Sequence, residues 1–257
     1  MRIPSQIAIL TVGVTCLLAP AFARAQTCDA YSHIRPDGKQ SQVFSSSATT
    51  DHVSFFFIPT AGRSYSIEVL DVGRHYQTGT FLPVNVNVGN CPTSNMAGLR
   101  DTTAIEPTIY ALSSGARFSV TAASASPIQF RAGSPAASSS GDFQARVTDT
   151  TLFSNWFFLG GDYSAFTLIR NTTNAAVQYT VNWRSNAGAI VGTTSGSIVA
   201  NGSAIINARD IPGALAAGSG TVEITHDAPP SAIVASTTVL SGTTGLSFDA
   251  PFATRQP

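Results

Sequence analysis

Short runs of aromatic and β-branched residues, broken at roughly 8–12-residue spacing by Gly, Pro, Asn and Ser, recur from Val43 onward. Val53-Ser54-Phe55-Phe56-Phe57-Ile58 leads through the turn Pro59-Thr60-Ala61-Gly62 into Tyr65-Ser66-Ile67-Glu68-Val69, where Tyr65, Ile67 and Val69 share one face at period two. Further strand-like runs lie at 81–88, 108–112, 118–121, 128–131 and 143–147. Among these, Val86 and Val88 alternate cleanly with Asn85 and Asn87, which predicts one wet face there.

The second half repeats the style. Runs at 153–159 and 163–170 flank Gly160-Gly161-Asp162, which predicts a hairpin turn. Positions 177–184 alternate without a break, so Val177, Tyr179, Val181 and Trp183 are expected to point inward. Ala187-Gly188, Asn201-Gly202 and Pro212-Gly213 punctuate the chain beyond this run, and runs at 221–225, 232–240 and 246–248 complete about seven strands. The one helical expectation is a turn around 213–217.

Turn signals at this spacing predict antiparallel sandwiches rather than a parallel sheet. The expected fold class is all-β, with two consecutive antiparallel β-sandwich domains of jelly-roll or immunoglobulin-like type after a cleaved signal peptide. Gly133-Ser134-Pro135-Ala136-Ala137-Ser138-Ser139-Ser140-Gly141 is the most linker-like stretch. It reads as a long loop, because Phe143-Gln144-Ala145-Arg146-Val147 after it looks like a closing strand. The expected domains are therefore 26–148 and 149–257.

Residues 1–25 have the form of a secretory signal peptide. Arg2 supplies the positive start, 7–18 is a short apolar stretch, and Ala23-Arg24-Ala25 is an A-x-A cleavage site. The stretch is too short for a membrane span, which needs ~20 apolar residues, and no second such segment is present, so an exported chain without a membrane span is expected. Cleavage removes Cys16 and leaves Cys28 and Cys91, an even pair in an oxidising compartment and most simply a disulfide.

Composition narrows the function. Charged residues are 11% of the chain, 14 basic against 14 acidic, and Lys39 is the sole lysine. Ser and Thr make 59 of 257 residues. This excludes a polybasic nucleic-acid binder, a coiled coil and an acidic disordered tail. It favours β domains whose wet faces are hydroxyl-rich, suited to hydrogen bonding with glycans or neighbouring protein surfaces.

A resemblance enters with Asp51-His52-Val53-Ser54-Phe55-Phe56-Phe57 and Thr60-Ala61-Gly62-Arg63-Ser64-Tyr65-Ser66-Ile67-Glu68-Val69. These segments, and more loosely positions 41–148, resemble the bacterial pre-peptidase C-terminal domain. That resemblance implies a small β-sandwich of the kind appended to secreted enzymes and linked to secretion or to binding of polymeric substrates. Val53 stands where members of that family often carry a second acidic residue, which counts against the calcium binding sometimes associated with such domains. The second half is similar in style to β-sandwich modules of uncharacterised secreted bacterial proteins.

Catalytic signatures are absent from the sequence: it has no H-E-x-x-H, C-x-x-C, G-x-S-x-G, P-loop or Rossmann glycine pattern. No metal site and no cofactor are expected. The densest polar cluster is Glu223-Ile224-Thr225-His226-Asp227 before Pro229-Pro230. Neighbours on a strand face opposite ways, so His226 and Asp227 do not co-orient without a bend, and the plainer reading has Asp227 capping the turn and His226 on the rim. Paired carboxylates of a glycoside hydrolase require a separation of ~5–9.5 Å, which only tertiary structure supplies. The aromatic clusters Phe55-Phe56-Phe57 and Trp156-Phe157-Phe158 put rings on both faces of a strand. The plainer reading buries them; the sharper one exposes a platform for sugar stacking or a protein partner.

The functional expectation is a non-catalytic exported module that binds an extracellular polysaccharide or a surface protein, with Tyr76, Trp156, Tyr163, His226 and Asp227 as candidate binding residues. Two alternatives stand beside it: a surface component that self-assembles through an edge strand, and a small secreted hydrolase using the Glu223–Asp227 region.

Overall fold

The computed structural model describes residues 32–46, 52–71, 85–90, 103–104, 115–133 and 141–255. The expected signal peptide, the Cys28–Cys91 pair, Tyr76 and the run at 108–112 lie outside the described residues.

The chain is all-β, and its first half forms two sheets. One has the order β1 (Ser32–His33), β3 (His52–Phe57), β8 (Ile128–Gly133), β5 (Asn85–Asn90); the other β2 (Phe44–Ser46), β9 (Gly141–Asp149), β4 (Ser64–Asp71), β7 (Gly115–Thr121), β6 (Thr103–Ala104). Among the described residues of this half, every strand pairing is antiparallel except β1 with β3. Alternation decides which residues meet between the sheets: Phe55, Phe57 and Phe130 from one, Tyr65, Ile67, Val69, Phe143 and Val147 from the other, all fully or almost fully buried. The Phe55 ring stacks on Phe130 at 5.1 Å and meets Phe143 edge-on across the gap at 6.2 Å. Phe56 points the other way, half-buried against His33. The Pro59–Gly62 turn joins strands of different sheets. It is held by the Thr60 amide, which donates to the Tyr65 hydroxyl at 2.7 Å, and Gly62 supplies the φ of +82° that it needs.

The second half forms another pair of sheets, antiparallel throughout. One runs β13 (Ile190–Ile198), β12 (Val177–Ser185), β15 (Ser219–His226), β10 (Leu152–Phe158), β18 (Ala253–Thr254). The other runs β14 (Ser203–Asn207), β11 (Tyr163–Asn171), β16 (Ile233–Ser241), β17 (Ser247–Pro251). Val177, Val181 and Trp183 are buried as their alternation requires, and Tyr179 packs partly buried against the same core. A six-residue helix α1 (Pro212–Ala217) begins on proline and ends on Gly218 at φ +71°.

Two expectations are corrected. Gly160-Gly161-Asp162 is not a hairpin turn, because β10 and β11 lie in different sheets and do not pair. The same turn chemistry serves a crossover equally well, and burial of both apolar strand faces selects the crossover. Strands β13 and β14 carry no run in the sequence pattern. Gly192 and Gly196 interrupt the hydrophobic pattern of β13 because Ile211 and the Tyr179 ring occupy the places where side chains would stand.

The stretch after β8 leads into β9, which pairs with β4 and so closes the first pair of sheets. At 149–151 the two halves are docked. Thr150 and Thr151 are buried, the Ser64 amide donates to Thr151 Oγ1 at 3.0 Å, and the Thr150 amide donates to the Ser64 carbonyl at 2.9 Å. Arg63 pairs with Asp149 at 3.0 Å, and its guanidinium lies 5.3 Å from the Phe153 ring centre. On another side, Arg117 Nη1 and Ser119 Oγ both donate to the Asp227 carbonyl, at 3.0 and 2.8 Å.

Candidate functional site

The most site-like feature is a row of four aromatic rings along one side of the second pair of sheets. It starts from an irregularity in β10. The ladder with β15 shifts register between Ser154 and Phe157, and such a bulge re-aims the residues it contains. Phe157 goes fully into the core, whereas Asn155 and Trp156 are turned to solvent. On its other side β10 is paired only at Leu152 and Phe153, by the two residues of β18.

The rings make a chain. Phe248 of β17 meets Trp156 edge-on at 6.3 Å, Trp156 stacks on Phe158 at 6.1 Å with planes 14° apart, and Phe158 meets Tyr163 edge-on at 5.5 Å. Trp156 is 37% exposed and Phe248 49%, while Phe158 and Tyr163 are half-buried supports. The row thus has two open rings backed by two fixed ones.

Polar contacts fix the Tyr163 end. Arg209 donates through Nη2 to the carbonyls of Tyr163 and Gly161, at 2.6 and 2.9 Å, and through Nε to Ser164 Oγ at 3.0 Å. Asp162 Oδ2 accepts from Ser241 Oγ at 2.7 Å and from the Thr243 amide at 2.8 Å. The Ser241 hydroxyl, then the Thr243 contacts, hold this carboxyl down at about 2, so it is ionised at all ordinary pH. The crossover and the start of β11 are therefore clamped by Arg209 on one side and by Ser241 and Thr243, at and just past the end of β16, on the other.

Of the candidate residues read from the sequence, Trp156 and Tyr163 are brought into one row, with Phe158 between them. Phe248 is the member that sequence reasoning missed; it lies in a recognised run, but its neighbours there are set by how β17 pairs with β16. Tyr76 lies outside the described residues.

His226 and Asp227 stand elsewhere, and their expected placement changes. His226 is not on the rim: it is 5% exposed, its amide donates to Ser64 Oγ at 3.3 Å, and its Nδ1 is buried with no partner. Burial pushes the imidazole down to about 4, against an opposing pull from backbone groups of Thr150 and Ala228. The cause is the docking of the first half onto the end of β15, which no local pattern announces. Asp227 is exposed but engaged, its Oδ1 accepting from the Gln178 amide at 2.9 Å. The two side chains do not converge, one being buried and the other exposed. Glu223 is buried and bridged to Arg184 Nε at 2.7 Å, so it does not form a free carboxylate pair with Asp227.

Among the described residues, no group of three or more His, Cys, Asp or Glu is placed to hold a metal ion. Asn171, in one of two N-x-S/T sequences, is fully buried and donates to the carbonyls of Ala175 and Val199 at 2.7 and 3.0 Å, so it serves the fold. No helix among the described residues is long and apolar enough to cross a membrane.

No protein-family model matches the chain, and no curated protein matches it. Among solved structures the chain is similar to a Bacteroides uniformis beta-glucuronidase, at 10% identity and a TM-score of 0.20. The similarity covers 79% of this chain and 26% of that one, and at so low a score it carries no argument about fold or chemistry.

Proposed function

We propose that this is a non-catalytic exported bacterial protein that binds an extracellular glycan polymer, using the Phe248–Trp156–Phe158–Tyr163 row as its contact surface. The observation that carries the reading is the row itself: two partly exposed rings held by two half-buried ones on a clamped crossover. Rigid aromatic faces offer apolar area at low entropic cost, and hydroxyl-rich surroundings supply hydrogen bonds to sugar hydroxyls. The secretory leader read at 1–25 and the resemblance of 51–69 to pre-peptidase C-terminal domains point the same way. The bridging of Glu223 to Arg184 weighs against the hydrolase alternative.

The test is retention of the purified chain on insoluble polysaccharides, purified cell wall and whole cells. Saturable retention that Trp156→Ala and Phe248→Ala each weaken, with the fold unchanged by circular dichroism, is the expected result. Retention unaffected by either variant removes the row from the reading. Retention by whole cells alone, abolished by protease treatment of the cells, replaces the glycan with a surface protein.

A further inference from the structure

We infer that a second copy of this chain pairs with the open edge of β13, in antiparallel register about a two-fold axis through Thr194. Strand β13 is nine residues long, the longest edge strand of the described sheets, and only β12 pairs with it. Exposed edges of this kind are normally blunted by Lys, Pro or short length. β13 has none of these: Ile190-Val191-Gly192-Thr193-Thr194-Ser195-Gly196-Ser197-Ile198 carries no charge and no proline, and the one irregularity is a bulge at Val191, where Gly213 of α1 lies against the Val191 carbonyl. The shorter edge β17, by contrast, contains Asp249 and Pro251.

The choice of partner comes from the order of residues. Read from either end toward Thr194, β13 presents nearly the same series. Antiparallel pairing about that residue sets Ile190 against Ile198 of the second copy, Gly192 against Gly196 and Thr193 against Ser195. Only Val191 against Ser197 departs in chemistry. A two-fold interface is self-complementary by construction, so a strand that matches its own reversal meets its requirement with no other partner. Thr and Ser placed opposite each other on antiparallel strands are a favourable cross-strand pair. Beyond the bulge at Val191, the strand follows β12 in unbroken register from Gly192 to Ile198. Thr193 Oγ1 donates to Asn182 Oδ1, and Ser195 Oγ shares a hydrogen bond with Thr180 Oγ1, both at 2.8 Å. Joined in this way, the two five-stranded sheets become one continuous ten-stranded sheet. The inference does not depend on glycan binding, but it would make a glycan-binding chain bivalent.

Sedimentation equilibrium of the purified chain over a range of concentrations tests it. The expected mass rises from one chain to two. Thr193→Lys combined with Ser195→Lys places like charges opposite each other and should weaken association by roughly tenfold or more. Thr193→Lys combined with Ser195→Glu places opposite charges across the axis and should restore it. A wild-type chain that stays monomeric, or a doubly basic variant that dimerises as the wild type does, overturns the inference. Loss of the dimer in both double variants overturns the register. Amide exchange across 190–198 is a check that needs no variant: it slows as the chain is concentrated if the edge pairs, and unchanged exchange is an overturning result.

Discussion

The Phe158 ring lies over Gly160, so close that a Cβ on Gly160 would come within 2.3 Å of its Cζ. Phe158 is the middle support of the aromatic row, stacked on Trp156 on one side and met by Tyr163 on the other. Gly160→Ala must therefore displace the ring and disturb both neighbours without changing a residue of the row. The expected outcome is a loss of about 1–3 kcal/mol in unfolding free energy, a shift in tryptophan emission, and weaker polymer retention. Unchanged retention with a shifted emission would separate the row's order from binding.

The Arg63–Asp149 pair ties the two halves where the chain passes between them, with only 14% and 10% of the two side chains exposed. Asp149 Oδ1 also accepts from the Thr151 amide at 3.0 Å, so one carboxylate orders both the ion pair and the crossing. Removing the arginine leaves that carboxylate largely buried and unpaired. Arg63→Ala should cost about 3 kcal/mol, read from the urea midpoint. Arg63→Lys keeps the charge but loses the planar face over Phe153 and should fall between the two.

His226 makes the stability depend on acid. Its folded value of about 4 lies below the ordinary 6.5, so the unfolded chain takes up the proton first as pH falls. The contribution of the neutral imidazole is full above pH 6.5, declines between 6.5 and about 4, and is gone below. The drop over that window is at most about 3 kcal/mol. Thermal melts from pH 7 to 4 should show the decline in the wild type, and His226→Gln should flatten it. An equal slope in the variant would assign the decline to carboxylates.

Ser231 holds a φ of +62° in the turn after Pro229-Pro230, a conformation that costs a residue with a Cβ roughly 1–2 kcal/mol. Ser231→Gly should therefore raise the melting temperature, with a gain of about 1 kcal/mol reduced by the glycine's extra freedom in the unfolded chain. Gly218→Ala, at φ +71° where α1 ends, should do the reverse. A fall in stability for Ser231→Gly would show that the hydroxyl does more than occupy the turn.

The amino-acid sequence by itself determined which segments extend and which of their faces are apolar. Period-two alternation over 177–184 is enough to bury Val177, Val181 and Trp183, because successive side chains on a strand must leave by opposite faces. The same logic locates β10, β11, β15, β16 and β17 in the second half, but not β13, β14 or β18. Partner choice is a different matter, since any strand with one apolar face satisfies it against several others, and only simultaneous burial of all of them selects one arrangement. That is why Gly160-Gly161-Asp162 turned out to join two sheets, and why β13, with glycines opposite Ile211 and Tyr179, left no hydrophobic pattern to read. Tertiary structure alone brought Phe248 from β17 to Trp156 on β10, and it alone sealed His226 beneath Ser64. Both contacts join residues far apart in the chain, where local periodicity exerts no constraint.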